Sequence, residues 1–312
     1  MEILAGIIAA ATPLVYATAG ETISEKAGVV NLSLDGSILL SAMVAFAAAF
    51  TTDSVVVGYA AGAATSMVVA ALIAFSSIEL RLNQIAVGFV LFILTRQLAL
   101  FLGDSYVGEP GPKVPAWDIP LLSEIPVVGE LFFQHNLSVY GSFVVVIASY
   151  LYIYKTRPGL ALQGIGERPE AAFARGIPVN PLRYLYTMIG GALVGVAGAS
   201  VSLDQIAGWR ENLTTNLGWI ALAFVIFGGW HPLRVALACY LYRGLLYVAG
   251  EFQVEFPNLV QVLTQLPFVL MILMITLINT DSFRRLSDRF PRWRNFLANN
   301  APAASGKTFV RE

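Results

Sequence analysis

The chain has 312 residues, of which 57% are hydrophobic and 12% are charged, and its formal net charge is −1. Soluble domains carry about 25% charged residues, so this composition, with a mean hydropathy of +0.70, excludes an ordinary soluble protein. Apolar stretches of about 17 to 25 residues recur along the chain, which predicts an all-α polytopic membrane protein. The single cysteine, Cys239, excludes an intrachain disulfide and a cysteine-based metal site.

Nine transmembrane helices are predicted from the distribution of apolar residues. In chain order they cover residues 3–20, 33–51, 55–77, 84–102, 138–154, 184–203, 216–230, 233–250 and 259–280. The first is expected to be a retained helix and not a signal peptide, because Glu2 stands in a region that would need to be positively charged. The spacings Gly58-x-x-x-Gly62 and Gly191-x-x-x-Gly195 predict close helix crossings without identifying the partner helices.

Lys and Arg are distributed unequally between the loops. The loop 155–183 contains five basic residues and the tail 281–312 contains seven, whereas the loop 103–137 contains only Lys113 against five acidic residues. The positive-inside rule places the first two segments in the cytoplasm and the third outside. Counting spans from these segments places the N-terminus outside and the C-terminus in the cytoplasm. Residues 1–280 are therefore predicted to form the transmembrane domain, and the tail is predicted to be cytoplasmic and partly disordered.

A short soluble-type helix is predicted inside the basic loop, over residues 168–176. Pro169 suits a first helical position, Glu170 favours the helix N-terminus, and Gly176 suits the stop. The helix carries one large apolar residue, Phe173, and the loop offers little to bury it. Because an aromatic anchor on a rigid helix fits a partner's groove, the pattern predicts a docking site for a cytoplasmic partner. The alternative is a helix that only connects two spans.

Polar residues at the start of the second span are candidates for lining a substrate pathway. Asn31 and Asp35 are four positions apart in the sequence, which predicts that they share one helix face. Helix capping by Asp35 is the equal alternative. The nearby Glu21 and Glu25, with Lys26, are expected to form a solvated turn at the cytoplasmic boundary.

Three further residues are pathway candidates: Asn83, Arg96 and Arg243. For the two arginines, the alternative is that the side chain reaches the membrane surface or pairs with a neighbouring helix. Neither a nucleophile–base motif nor a cluster of metal-binding residues emerges, so no catalytic site, no metal site and no nucleic-acid partner is predicted. The tail contains Gly306-Lys307-Thr308, but Ala301 stands where a phosphate-binding loop requires glycine.

Three sequence blocks resemble the inner-membrane permeases of ATP-binding-cassette (ABC) importers. The blocks are GETISEKAGVVNLSLDG at 20–36, GIGERPEAAFARGI at 164–177, and GWIALA at 218–223 with FGGWHP at 227–232. They are most similar to the nucleoside and simple-sugar subgroup of the ribose and branched-chain amino acid permease family. The chain departs from that pattern at Asp35, Ser33 and Arg168, where glutamate, glycine and asparagine are usual.

The resemblance implies that the chain is one permease subunit, is not an enzyme and binds no cofactor itself. A cytoplasmic ABC ATPase would bind ATP and Mg and would grip the loop helix. The coupling residues implied are Gly166, Glu167, Arg168, Pro169, Glu170, Ala171, Ala172, Phe173, Ala174, Arg175 and Gly176. A second related permease would complete the pathway, and a periplasmic or lipid-anchored binding protein would deliver the substrate.

The resemblance also implies the bacterial inner membrane and a nucleoside-like substrate, with ribose, another simple sugar or a flavin as alternatives. A secondary transporter is the competing class, but the central parts of the predicted spans contain almost no Asp or Glu to couple to protons. The resemblance further implies a heterodimer, because importers of this subgroup commonly pair two related but non-identical permeases. Asp35 adds support, since in a homodimer it could face its own copy near the two-fold axis, where two carboxylates would repel each other or share a proton.

Overall fold

The computed structural model describes residues 2–120, 123, 125, 128–255, 269, 272, 273, 280, 301–307 and 309. Eleven α-helices are present in these residues. They are α1 Glu2–Lys26, α2 Leu34–Thr52, α3 Val55–Ile78, α4 Gln84–Gly103, α5 Val128–Phe132, α6 Leu137–Lys155, α7 Arg157–Glu167, α8 Pro169–Ala174, α9 Val179–Ser200, α10 Leu217–Phe227 and α11 Pro232–Glu255. Two short strands, β1 Ala116–Asp118 and β2 Gln134–Asn136, pair antiparallel.

Seven of the described helices are long and apolar enough to cross a membrane. They correspond to all the predicted spans except the seventh, 216–230, and the ninth, 259–280. The predicted span 216–230 is α10, which has only 11 residues and is therefore about 16 Å long, too short to cross a hydrocarbon layer of about 30 Å by itself. The predicted span 259–280 lies outside the described residues apart from isolated positions.

Helix α9 packs at the centre of the bundle through glycines. A methyl group added to Gly190 would overlap the carbonyl oxygen of Gly20 in α1, and one added to Gly195 would overlap that of Gly62 in α3. The small-residue spacings therefore do mark close helix crossings, and the structure identifies the partner of Gly195 as α3. Because these contacts join backbone to backbone, no larger residue fits at the crossings.

The two ends of the bundle differ in their covering. At one end, the loop after α1 meets α7, α8 and residues 301–307 and 309. At the other end, the β1–β2 pair and the chain around Trp209 lie over the helices, with Val107 and Trp209 forming an isolated bridge. The first end contains the predicted cytoplasmic loop, and the second contains the predicted outer loop. The charge-based assignment of sides remains a prediction.

Candidate coupling surface and translocation pathway

The loop helix forms where the sequence predicts it. Helix α8 begins at Pro169 and its last residue is Ala174, and the chain then turns through Gly176, whose φ of +80° is left-handed. The amide of Gly176 donates to the carbonyl of Phe173 and satisfies one of the free helix-end acceptors. Pro169 and Gly176 therefore set the two ends of this short helix.

The orientation of α8 is fixed by its buried residues. Pro169 and Ala172 are buried, and Ala172 packs in an apolar cluster with Ile165 of α7 and Ile23 of α1. Phe173, the next residue along the helix, is 37% exposed. The remaining exposed members of the predicted coupling set are Glu167, Arg168, Glu170, Ala171, Ala174, Arg175 and Gly176. An anchored helix with an exposed aromatic face can transmit force to the bundle.

Gly166 joins this loop to the end of α1. A methyl group at Gly166 would overlap the carbonyl oxygen of Lys26, so the two backbones are in direct contact. Leu162 and Ile165, fully buried in the same α7, pack in the cluster with Ile23. The end of α7, immediately before α8, is therefore in backbone contact with the end of α1.

Asp35 links three helices. It is 4% exposed, its Oδ1 accepts a hydrogen bond of 3.0 Å from the amide of Gly218 in α10, and its Oδ2 lies 3.8 Å from Nη1 of Arg96 in α4. It therefore caps the start of α10 and not its own helix, which neither sequence interpretation anticipated. Arg96, whose side chain is 39% exposed, therefore pairs with a neighbouring helix, which was one of the alternatives for this residue.

The shared helix face predicted for Asn31 and Asp35 is wrong. Helix α2 begins at Leu34, so Asn31 lies in the preceding turn. Its side-chain oxygen accepts a hydrogen bond from the backbone amide of Ser33. The backbone amide of Asn31 donates one to the carboxylate of Glu21. Asn31 therefore shapes the entry to α2.

Asn83 has a local role as well. Its side-chain oxygen accepts hydrogen bonds from the amides of Ile85 and Ala86, at 2.9 and 3.2 Å, which is a helix N-cap. The side chain is exposed at the start of α4. Capping accounts for the presence of this residue without any contact to a substrate.

Arg243 lies at a polar cavity of about 280 Å³. The other polar side chains at this cavity are Gln205, Thr214 and Thr215. The remaining lining residues are Leu14, Val201, Leu213, Leu217, Ile220, Tyr242 and Leu246. Within the described part of the chain, Nε of Arg243 is buried and has no hydrogen-bond partner. The guanidinium, amide and hydroxyl groups of these four polar residues suit a small ligand rich in hydroxyl groups.

Sequence reasoning identified Arg243 but missed the other polar residues of the cavity. Gln205 ends a π-helical turn, Val201–Gln205, that follows α9, and the two threonines lie in the turn before α10. A π-helical turn often marks a functional position, but nothing in local composition distinguishes it from a regular helix end. Threonines in a short turn carry no signal of their own.

The prediction of a solvated turn for Glu21 and Glu25 is wrong. Helix α1 continues to Lys26, and these two carboxylates are only 1% and 4% exposed. Glu25 accepts a hydrogen bond from Nε1 of Trp230, and Glu21 accepts one from the amide of Asn31. The chain after α1 folds back toward the bundle and covers a helix face that would otherwise contact water. The two carboxylates therefore link α1 by hydrogen bonds to the chain before α2 and to the chain after α10.

Replacing Glu25 with alanine is expected to destabilise the protein, because the indole N–H of Trp230 would remain buried without an acceptor. The expected cost is about 1 to 3 kcal/mol. Glu25→Gln retains an acceptor of the same shape and is the matched control. Thermal unfolding in detergent, followed by size-exclusion chromatography, measures the difference. Equal melting temperatures for the two variants would contradict this role.

His231 follows α10 and stacks on Tyr154, with ring centroids 5.1 Å apart. Burial lowers the pKa of His231 to about 4, and the charges of Arg234 and Lys26 act in the same direction. The ring is therefore neutral at pH 7 and packs as an aromatic group. The described residues contain no group of three or more His, Cys, Asp or Glu side chains that could hold a metal ion.

Seven helices long and apolar enough to cross a membrane define the class of multi-pass membrane proteins. The chain belongs to the family described as branched-chain amino acid transport system / permease component, whose model matches residues 3–276. It is thus a permease component, as the three sequence blocks indicated.

Individual relatives agree with this assignment. The chain is 37% identical over 248 residues to the putative glucose ABC transporter permease protein TsgC13 of Haloferax volcanii, covering 78% of this chain and 75% of that protein. It is 30% identical over 294 residues to the nucleoside ABC transporter permease protein NupC of Lactococcus lactis, covering 88% and 91%. It is 31% identical over 289 residues to the guanosine ABC transporter permease protein NupQ of Bacillus subtilis, covering 85% and 88%. No solved structure matches the chain significantly.

These relatives are permease components and not enzymes, which confirms that part of the sequence interpretation. Membership of this family also favours an ABC permease over a secondary transporter.

Proposed function

We propose that the chain is the permease subunit of an ABC importer that forms half of the pathway for a nucleoside-like molecule. The observation that carries the proposal is α8, anchored through Ala172 and exposing Phe173. A cytoplasmic ATPase, which binds ATP and Mg, grips this helix. Because α8 is joined to α1 through α7, closure of the ATPase moves the bundle as a set of rigid bodies and alternates access to the pathway.

The substrate class is supported by the relatives and by the cavity. NupC and NupQ, named for nucleosides and guanosine, align with most of this chain. The higher identity to TsgC13 supports a simple sugar as the second candidate. Sugars and nucleosides both present hydroxyl groups, which Gln205, Thr214 and Arg243 are equipped to hydrogen-bond at the cavity. A flavin has no specific support.

The assembly contains further partners in this proposal. A second, related permease completes the pathway, a periplasmic or lipid-anchored binding protein delivers the substrate, and the complex lies in a bacterial inner membrane. The electrostatic reason for a heterodimer has lost its basis, because Asp35 is paired with Arg96 and Gly218 inside the same chain. The heterodimer now rests on the resemblance to the nucleoside subgroup alone.

The function is tested by co-expressing the chain with an ATPase, a permease and a lipoprotein encoded beside its gene. The purified complex is reconstituted, and ATP hydrolysis is measured with nucleosides, bases, simple sugars and flavins. Nucleosides are expected to give the strongest stimulation. Stimulation by sugars alone would show that the substrate is a sugar and not a nucleoside. The absence of an ATPase from the complex would contradict the proposed function. Full transport by a set that lacks the second permease would contradict the heterodimer.

The proposed orientation predicts that cysteines introduced at Ser123 and at Ser287 react from opposite faces of the membrane. Ser287 lies outside the described residues, and the native Cys239 is buried and gives a low background. In intact cells an impermeant maleimide should label Ser123→Cys, and Ser287→Cys only after the cells are opened. Labelling of both positions from outside would contradict the orientation.

A further inference from the structure

Residues 301–307 and 309, here called the C-terminal strap, lie against the end of the bundle that carries α8. The amide of Ala304 donates a hydrogen bond of 2.9 Å to the carbonyl of Gly166, and the amide of Gly306 donates one of 3.2 Å to Gly28. Pro302, Ala304 and Phe309 are buried. The strap therefore connects the loop after α1 to the end of α7, immediately before α8.

A buried arginine depends on this strap. Arg183 at the start of α9 is 1% exposed and is the largest fully buried side chain among the described residues. Its Nη1 donates to the carbonyl of Lys307 at 3.0 Å, and its Nη2 donates to that of Ile165 at the limiting distance of 3.5 Å. Burying a guanidinium is costly unless its donors are satisfied. Without the strap, Arg183 would lose its shorter hydrogen bond.

Two glycines leave space for the strap and for this arginine. Gly28 has a φ of +91°, which favours glycine, and a methyl group there would lie 2.8 Å from Nη2 of Arg183 and 3.3 Å from the carbonyl oxygen of Ala304. A methyl group at Gly166 would lie 3.5 Å from Cβ of Pro302, in addition to its overlap with Lys26. The groove under the strap is therefore formed largely by backbone.

The strap also reaches the exposed aromatic of α8. The ring centroid of Phe309 lies 5.7 Å from that of Phe173, and Phe309 is only 8% exposed because it joins the apolar cluster beneath α8. One edge of the proposed ATPase-binding surface is thus formed by a segment far away in the sequence. The same segment contains Gly306 and Lys307, whose backbone groups hydrogen-bond to Gly28 and to Arg183.

We propose that the C-terminal strap is part of the ATPase-binding surface and holds α8 in its docking orientation, with Arg183 as the positioning residue. The proposal rests on the function proposed above, in which α8 meets the ATPase. The strap supports α8 at two places, through Gly166 at the end of α7 and through Phe309 beside Phe173. Releasing it leaves the membrane bundle intact but frees α8 to change its angle.

Docking of the strap is measured on the isolated chain, without any partner. Ala304 is 5% exposed and Ala301 is exposed, so the pair provides matched cysteine sites three residues apart. With a maleimide in detergent, Ala304→Cys is expected to react at least tenfold more slowly than Ala301→Cys. Equal rates would overturn the proposal.

The role of the strap is measured in the complete transporter. Ala304→Asp places a charge in the buried position and is expected to lower ATPase co-purification and substrate uptake at least tenfold. Ser105→Asp, at an exposed position of the opposite end of the bundle, is expected to leave ATPase co-purification unchanged. Phe309→Ala should lower co-purification and uptake in the same direction as Ala304→Asp. Normal uptake and ATPase binding by both Ala304→Asp and Phe309→Ala would overturn the strap alone. Failure of the wild-type chain to bind an ATPase would overturn the proposed function together with it.

Discussion

Replacing Phe173 with aspartate is expected to reduce uptake below about 1% of the wild-type rate while the chain remains inserted in the membrane. Phe173 is the large apolar group that α8 exposes, and it stands where the ATPase is proposed to bind. A carboxylate placed in an apolar socket costs several kcal/mol, because it loses water without gaining a partner. A loss of that size is enough to dissociate a helix from its groove.

The measurement compares uptake and ATPase co-purification for three proteins: the wild type, Phe173→Asp and Phe173→Leu. Leucine keeps an apolar side chain at the site and is expected to retain most of the activity. Because the ring of Phe173 also contacts Phe309, membrane-inserted protein is quantified for each variant, so that a folding defect is separated from a binding defect. Wild-type uptake by Phe173→Asp would end the assignment of α8 as the coupling helix.

Gly218→Ala is expected to destabilise the bundle by about 3 kcal/mol or more. A methyl group at Gly218 would overlap the backbone of Asp35 at the start of α2. Backbone cannot rotate away as a side chain can, so α10 would have to move away from α2. That movement would also break the hydrogen bond from the Gly218 amide to Asp35 and leave a buried carboxylate with Arg96 alone.

The control for this substitution is Gly250→Ala in α11, where nothing lies within 4 Å of the added methyl group. Alanine is the better helix former, so this variant should be as stable as the wild type or slightly more stable. Thermal unfolding in detergent gives the comparison, and uptake gives the functional consequence. A Gly218→Ala protein with an unchanged melting temperature would show that α10 does not pack against α2 this closely.

The long helices and the loop helix α8 were predictable because their signals are local. Hydrophobic stretches of sufficient length identify α1 to α4, α6, α9 and α11, and Pro169 and Gly176 mark the ends of α8. The burial of Glu21 and Glu25 was not predictable, because it depends on the chain after Lys26 folding back over α1. A charged side chain carries no local sign of a partner that lies in another element.

The cavity and the strap were missed for related reasons. Gln205 and Thr214 become polar lining only when a π-helical turn and the start of α10 are brought together. The tail was expected to be partly disordered, yet its residues 301–307 and 309 pack against α7 and α9. What holds them is a set of backbone hydrogen bonds and one buried arginine, Arg183, which composition does not reveal.

The glycine crossings of α9 divide the bundle into a stiff part and an adjustable part. At Gly20–Gly190 and Gly62–Gly195 the main chains of α1, α3 and α9 are in contact, so none of these helices can slide past another without a collision of carbonyl groups. They are expected to travel together when α8 is displaced. The pathway is then expected to open where helices contact each other through side chains, above all between α10 and α11 around Arg243. Side-chain rotamers there can change at a small cost in free energy.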